Sequence, residues 1–395
     1  MTSLRSELLA VARTAGLDEV GVCSAEPFDE ARRTLEERRD AGLSGGMAFT
    51  YRNPARSTDP SATLPGARSL IVGALHYDAE VPPRPPHSAR VARYATEDHY
   101  ARLRAALGEL KTILRRHGHR AVVVADDNAL VDRAVAVRAG IGWAGKSSNV
   151  LLPGRGSWFV LGSVITDASL EPTGAPIEDG CGSCRRCLDG CPTGAIVAPG
   201  VVDAGRCLAW HLQATGDFPR RYRAALDDRI YGCDECQEVC PPTRRAERAD
   251  LPQSGEQGTG GPAAEHTSTA EPGSWVDLRW LLTATDDELL GSLGRWYVPR
   301  RDPRYLRRNA LVVLGNTGDP GQGWVVEALE RHLDGSDDLL VTHATWAAMQ
   351  LGLEAWLRRT GRAARAAVAT EMASFGRGSG LDVPSEAATT KMGRP

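Results

Sequence analysis

The chain has 395 residues, 42% of them hydrophobic and 25% charged, with a formal net charge of -3. This composition fits a folded protein of two or three domains and excludes a low-hydropathy disordered chain, a collagen-like repeat and a surface coated uniformly in basic residues. No window approaches the apolar length that spans a bilayer, so membrane insertion is not expected and any nucleic-acid contact has to come from a local patch.

In chain order, MTSLRSELLAVARTAG places Leu4, Leu8, Val11 and Ala12 on one face of a helix over 3–15. It lacks the apolar run of a signal peptide, which predicts a cytoplasmic protein. DEVGVC reads as a strand ending in Cys23, a small buried apolar residue. SLIVGAL (69–75), AVVVA (121–125) and SWFVLGSVI (157–165) read as further strands and 100–116 as a helix, so residues 1–175 form an α/β region.

GIGWAGKS (140–147) satisfies both GxGxxG and GxxxxGKS. A phosphate loop needs a strand before it and a helix after it, because the phosphates sit on the amino end of that helix. Here the order is reversed. NALVDRAVAVRA (128–139) has helical spacing and Gly140 stands where a helix-ending glycine belongs, while SSNVLLPGRGSWFVLG reads as two strands and a turn. The motif is therefore read as a glycine-rich helix exit where backbone approaches something closely.

Nine cysteines in a reducing compartment do not read as disulfides, and eight of them crowd between 181 and 240. CGSCRRCLDGCP gives Cys181, Cys184, Cys187 and Cys191 the CxxCxxCxxxCP spacing of bacterial ferredoxins, whose fourth thiolate serves a different cluster. CDECQEVCP supplies Cys233, Cys236 and Cys240, one thiolate short of that pattern, and Cys207 lies between the runs. Eight thiolates match two 4Fe-4S clusters: Cys181, Cys184, Cys187 and Cys240 for one, Cys191, Cys207, Cys233 and Cys236 for the other. Pro192 and Pro241 follow the crossed ligands and end each binding turn. A pair of four-cysteine zinc sites is the alternative, but zinc ribbons use paired CxxC knuckles.

Residues 252–274 are Gly/Pro/Ser/Thr-rich and read as a linker. Beyond them Leu306, Ala310, Val313 and Leu314 share a helical face, and VVEALERHL and THATWAAMQLGLEAWL follow as short helical-repeat packing. The end of the chain, 373–395, reads as a disordered tail.

LPGARSLIVGALHY (64–77), RVARYATEDHY (90–100), ADDNALVDRAVAVRAGIGWAGKSSN (125–149), IEDGCGSCRRCLDGCPTGAI (177–196) and RIYGCDECQEVCP (229–241) resemble the epoxyqueuosine reductases. The resemblance covers about residues 1–245 and continues more loosely through the C-terminal helices. It implies a cobalamin-binding α/β domain of the reductive-dehalogenase and nitroreductase kind over 1–175 and a ferredoxin-like domain with two 4Fe-4S clusters over 176–248. A linker over 249–275 and HEAT-like helices that bind tRNA over 276–372 complete the expected organisation. The implied activity is the last step of queuosine synthesis, reduction of the epoxide of epoxyqueuosine to the alkene at the wobble position of a tRNA anticodon. The implied partners are tRNA and an electron donor such as a flavodoxin or ferredoxin, for a monomer without membrane contact.

By the same resemblance the proton donor falls on Asp126, with Ala129 where a proline commonly follows. Asp127 is its rival, although Asp127 or Asn128 also suits the cap of the next helix, and Asp132 reads as a structural ion-pair residue. Cobalamin contacts fall on Arg56, Ala92, Asp126, Val150, Leu161, Ala209 and Asp234. Arg56 is displaced by one in ARSTDP, leaving Ser57 in the expected place, and DHY replaces DYH at 98–100, which exchanges or removes the roles of His99 and Tyr100. No DxHxxG motif is present, so cobalamin is expected to bind without a lower histidine ligand. An exposed carboxyl is almost fully ionised at neutral pH, so burial is expected to raise the Asp126 pKa.

GRWYVPRRDPRYLRR (294–308) offers Arg295, Arg300, Arg301, Arg304, Arg307 and Arg308 against Asp302 alone, interleaved with Trp296, Tyr297 and Tyr305, as a tRNA patch. RRYR (220–223) is a second. Two rivals share part of this logic. A corrinoid reductive dehalogenase is usually exported with a twin-arginine signal, which MTSLRSEL lacks. A non-catalytic iron-sulfur carrier needs only a small fraction of this length.

Overall fold

The computed structural model describes residues 3–77, 81–250 and 273–375. Most of the expected linker, and the expected tail beyond 375, lie outside the described residues.

The α/β expectation for the N-terminal region is met by a four-stranded sheet. Its spatial order is Glu19–Ser24, Ser69–His76, Phe159–Thr166 and Ala121–Ala125, with every neighbouring pair antiparallel. Ser69–His76 is buried along all but its last residue, because its unbroken apolar run has helices over both faces. Leu4–Thr14 and His99–Arg116 cover one face through Leu8, Ala12, Leu103, Leu107 and Leu110. The helix Asp132–Arg138 covers the other with Val135 and Ala136, beside Phe28 and Leu64. Cys23 lies within this second core, and burial pushes its thiol up to about 11, so it stays a neutral apolar filler.

The helix expected over 128–139 is confined to Asp132–Arg138. The Ala129 amide donates to Asp127 Oδ1 at 2.8 Å, and Ser57 Oγ donates to the Asn128 carbonyl at 2.6 Å. These bonds hold 127–129 as an Asx turn. The residue at the helix start is Val131, so neither Asp127 nor Asn128 serves as the cap. Gly140 follows the helix with φ 72°, as its sequence position predicts. A Cβ there would lie 2.4 Å from the Ala175 carbonyl oxygen, and one on Gly142 would lie 2.6 Å from that of Leu151. The close approach required of these glycines is thus to the chain's own backbone. Trp143–Ala144 and Val150–Leu151 pair antiparallel just after them, so no helix follows the GKS sequence.

A second sheet ties distant segments together. Ser88–Val91 lies between Arg229–Tyr231, parallel to it, and Trp275–Asp277, antiparallel. Its Ala89, Val91 and Ile230 share one core with Phe218, Leu281 and the C-terminal helices, where Leu306, Ala310, Val313 and Leu314 are all buried. Those helices are Arg304–Thr317, Gly323–Leu333, Asp338–Gln350, Glu354–Arg359 and Ala366–Ser374. The last of them carries Glu371, 2% exposed, which accepts from both Arg220 and Arg223 and so clamps this bundle to the segment between Cys207 and Cys233. Among the described residues no helix is long and apolar enough to cross a membrane.

Candidate metal and cofactor site

The cysteines gather by a crossed connection. Cys187 has Cys240, Cys181 and Cys184 as its thiol neighbours, and Cys240 has Cys181 and Cys184. Cys236 has Cys233, Cys207 and Cys191, and Cys207 in turn faces Cys191. The last cysteine of each run thus crosses to the other set. A short helix sits within each run, Arg186–Asp189 and Glu235–Glu238, and Pro241 opens the helix Pro241–Asp250, where its missing N–H costs nothing. That helix docks on the first sheet through Thr243 against Ser157 and through Glu247, which accepts from Trp158 Nε1 at 2.9 Å.

Burial pushes the Cys233 thiol up to about 12 and raises those of Cys207 and Cys236 as well. Bare, these sulfurs hold their protons; as thiolates they need positive charge beside them, which iron supplies. Among the described residues no group of His, Cys, Asp and Glu is gathered for a single metal ion. Four sulfurs around a cube also sit farther apart than four around one ion.

Asp126 stands at the end of the strand Ala121–Ala125 with φ 53°, a left-handed backbone that a non-glycine residue adopts only under local constraint. Its side chain is exposed to solvent, yet desolvation by the surrounding protein raises its pKa; Arg104 lowers it and Asp127 raises it, more weakly. Tyr100 and Tyr231 both feel the Asp126 charge, and burial pushes the Tyr231 hydroxyl up to about 12. Tyr231 stacks on Trp296 at 4.5 Å between ring centres, and its hydroxyl accepts from the Tyr297 amide at 2.8 Å.

Asp132 departs from its expected role. Among the described residues it forms no ion pair, and its Oδ1 is buried without a hydrogen-bond partner. Burial, reinforced by the Asp126 charge, raises its pKa. Arg133 beside it is solvent-accessible, yet desolvation lowers its pKa; Tyr51, Tyr100 and Asp132 are among its charge neighbours. Its Nη1 donates to the Ser148 carbonyl at 2.6 Å, and Ser148 is also left-handed, with φ 65°. Of the pair in DHY, Tyr100 faces Asp126, whereas His99 is 4% exposed and packs on Tyr77 at 5.5 Å.

The other expected cofactor contacts fall in three places. Arg56 Nη1 donates to Asn128 Oδ1 at 3.0 Å, beside Asp126. Val150 and Leu161 pack in one core cluster. Ala92 and Asp234 meet beside the second thiol set, where the Arg93 amide donates to Asp234 Oδ2 at 2.7 Å, while Ala209 lies on the helix Leu208–Gln213. Sequence reasoning missed Tyr231 and Arg133, because their approach to Asp126 is tertiary and leaves no local signature.

Most of the expected cationic patch turns inward. Arg308 is fully buried and donates to the carbonyls of Ala214, Gly216 and His211. Arg295 donates to those of Thr96 and Glu97, Arg304 pairs with Asp302 and Asp337, and Arg307 pairs with Asp286. Arg300 and Arg301 remain at the surface, both left-handed, next to Tyr297 at 62% exposure. In the second candidate, Arg220 and Arg223 are committed to Glu371.

An antiparallel-sheet α/β unit followed by two crossed sets of four cysteines defines a protein of the 4Fe-4S class. A family model described as "4Fe-4S double cluster binding domain" matches residues 180–243. The epoxyqueuosine reductase of Vibrio cholerae is 32% identical over 348 residues, 84% of this chain and 88% of that protein. That of Bacillus cereus is 37% identical over 247 residues, which spans 60% of this chain and 64% of the relative, just under two thirds of its length. A crystal structure of epoxyqueuosine reductase with a tRNA-Tyr epoxyqueuosine-modified stem loop superposes with a TM-score of 0.80 at 29% identity, covering 96% of this chain and 98% of that one. The Streptococcus thermophilus enzyme superposes with a TM-score of 0.79 at 26% identity. The chain belongs to the epoxyqueuosine reductase family.

Proposed function

We propose that the chain reduces epoxyqueuosine to queuosine in the anticodon of tRNA, holding two 4Fe-4S clusters and cobalamin. The carrying observation is the crossed gathering of eight thiols into two sets of four in a chain that also presents an accessible, constrained carboxyl at Asp126. Cys181, Cys184, Cys187 and Cys240 hold one cluster; Cys191, Cys207, Cys233 and Cys236 hold the other. Asp126, Tyr100 and Arg133 gather around Asp132, whose buried Oδ1 lacks a partner, and this polar group is read as facing the amide rim of the corrin. Arg56, Ala92, Val150, Leu161, Ala209 and Asp234 are the further residues proposed to contact it. When bound, cobalamin supplies a low-valent cobalt centre, the source of reducing power that no side chain offers.

The conversion of epoxide to alkene consumes two electrons and two protons and releases the oxygen as water. Asp126, whose pKa is raised by desolvation, is the group that gives one proton to the departing oxygen. The Asx turn at 127–129 and the Arg56 bond to Asn128 steady the backbone next to that carboxyl. Arg133 and the exposed Tyr297, Arg300 and Arg301 offer the charge and ring surface that an anticodon loop requires. The helices of 276–372 are read as HEAT-like, the protein as a cytoplasmic monomer, and its electrons as coming from a flavodoxin or ferredoxin.

Anaerobic reconstitution tests the cofactor assignment: iron and acid-labile sulfide equivalent to two cubes per chain, and the absorption of a bound corrinoid after gel filtration, are expected. Zinc in place of iron would overturn it.

A further inference from the structure

The GKS sequence, which no helix follows, ends in a turn that reaches both thiol sets. Lys146 Nζ donates to the carbonyls of Gly182 and Cys184, the latter at 3.0 Å, within the loop that carries Cys181 and Cys184. Three residues on, Asn149 Nδ2 donates to Cys236 Sγ at 3.8 Å, in the other set. The turn between them is fixed. The Gly200 amide donates to the Lys146 carbonyl at 2.9 Å, Ser148 Oγ donates to the Gly200 carbonyl at 2.7 Å, and Arg133 holds the Ser148 carbonyl. Both side chains are only partly exposed, so solvent screens them incompletely.

We infer that the segment 145–149 sets the reduction potentials of the two clusters separately, Lys146 by its charge on the Cys181/Cys184 loop and Asn149 by its N–H···S bond to Cys236. The inference rests on the cluster assignment above. A 4Fe-4S cluster gains one negative charge on reduction. A fixed ammonium beside its loop, or a hydrogen bond to one of its sulfurs, stabilises the reduced form more than the oxidised form and raises the potential. Because the two contacts go to different sets, each side chain moves one cluster. Both are positioning residues; neither touches substrate. A phosphate-binding lysine would instead leave the cysteine loop alone.

The test is an anaerobic potentiometric reduction of the full reconstituted chain, followed by electron paramagnetic resonance, for wild type, Lys146→Met, Lys146→Arg and Asn149→Leu. Lys146→Met is expected to shift one of the two reduction steps to more negative potential at unchanged iron content, Lys146→Arg to restore it, and Asn149→Leu to shift the other step. Unmoved potentials at full iron content, or both variants moving the same step, would overturn the inference. Loss of iron in both Lys146→Met and Lys146→Arg would also overturn it, by making the lysine a clasp for the loop. A wild-type chain without 4Fe-4S signals is a different outcome, because it sinks the cluster assignment itself.

Discussion

Arg56 reaches across 72 positions of sequence to donate to Asn128 at 3.0 Å, and that single bond, with Ser57 Oγ on the Asn128 carbonyl at 2.6 Å, anchors the turn that presents Asp126. The left-handed Asp126 backbone stores strain that these bonds offset. The turn beside the carboxyl therefore depends for its position on a segment 72 residues away in sequence.

Removing the anchor should cost rate more than stability. Arg56→Ala deletes one exposed hydrogen bond worth at most about 1 kcal/mol, which lowers kcat up to about fivefold if it acts wholly on Asp126 positioning. Asp126→Asn should abolish turnover with iron and cobalamin retained. Steady-state kinetics beside melting curves separate the two effects; an unchanged kcat in Arg56→Ala would show that the turn holds itself.

The rate should fall on the alkaline side. Burial raises the Asp126 pKa, so its proton is present below that raised value and is lost as pH rises through it. Arg104 lowers this pKa and Asp127 raises it. Arg104→Leu should therefore move the alkaline limb of the kcat profile to higher pH, and Asp127→Asn to lower pH. Shifts in the reverse sense would assign the limb to another group.

The C-terminal helices should be acid-sensitive through two buried histidines. Burial pushes His332 down to about 4, and His343 well below its ordinary value. His343 Nε2 accepts from the Phe218 amide at 3.1 Å, which a protonated ring cannot do. A depressed folded-state pKa gives stability that is present above the unfolded value near 6.5 and lost as pH falls toward the folded value. For His332 that amounts to on the order of 3 kcal/mol between about pH 6.5 and 4. Urea unfolding followed by tryptophan fluorescence across this range checks it, and His332→Gln should flatten the dependence.

The salt dependence of tRNA affinity should belong to few arginines. Arg300→Ala and Arg301→Ala should each reduce the slope of log affinity against log salt by about 0.7 to 0.9. Arg304→Ala and Arg307→Ala should leave it nearly unchanged, because intramolecular carboxylates already neutralise them. Equal loss at all four positions would restore the broader patch.

The sequence made legible what is local. Strand and helix positions followed from apolar periodicity, and the reversed element order around Gly140 excluded a phosphate loop without coordinates. Cys207 entered its set by count alone, and the structure brings it to Cys191. Charge was the poorest guide. Six arginines in fifteen residues read as a nucleic-acid face, yet the carbonyls that claim Arg295 and Arg308 come from 96–97 and 211–216, which no local pattern reveals. Asp132 failed for the same reason: adjacent arginines in sequence do not fix where a carboxyl points. The helix over 128–139 lost its first turn to Asp127 and Ser57, a side-chain competition with helix formation that periodicity does not see.

The most direct test is anaerobic turnover of the cluster-loaded chain with cobalamin, a low-potential reductant and an epoxyqueuosine-containing anticodon stem loop, read by nucleoside mass spectrometry. Queuosine is expected from the wild-type chain and none from Asp126→Asn holding the same iron and cobalamin. Queuosine formation that needs no cobalamin, or that survives Asp126→Asn undiminished, would contradict it.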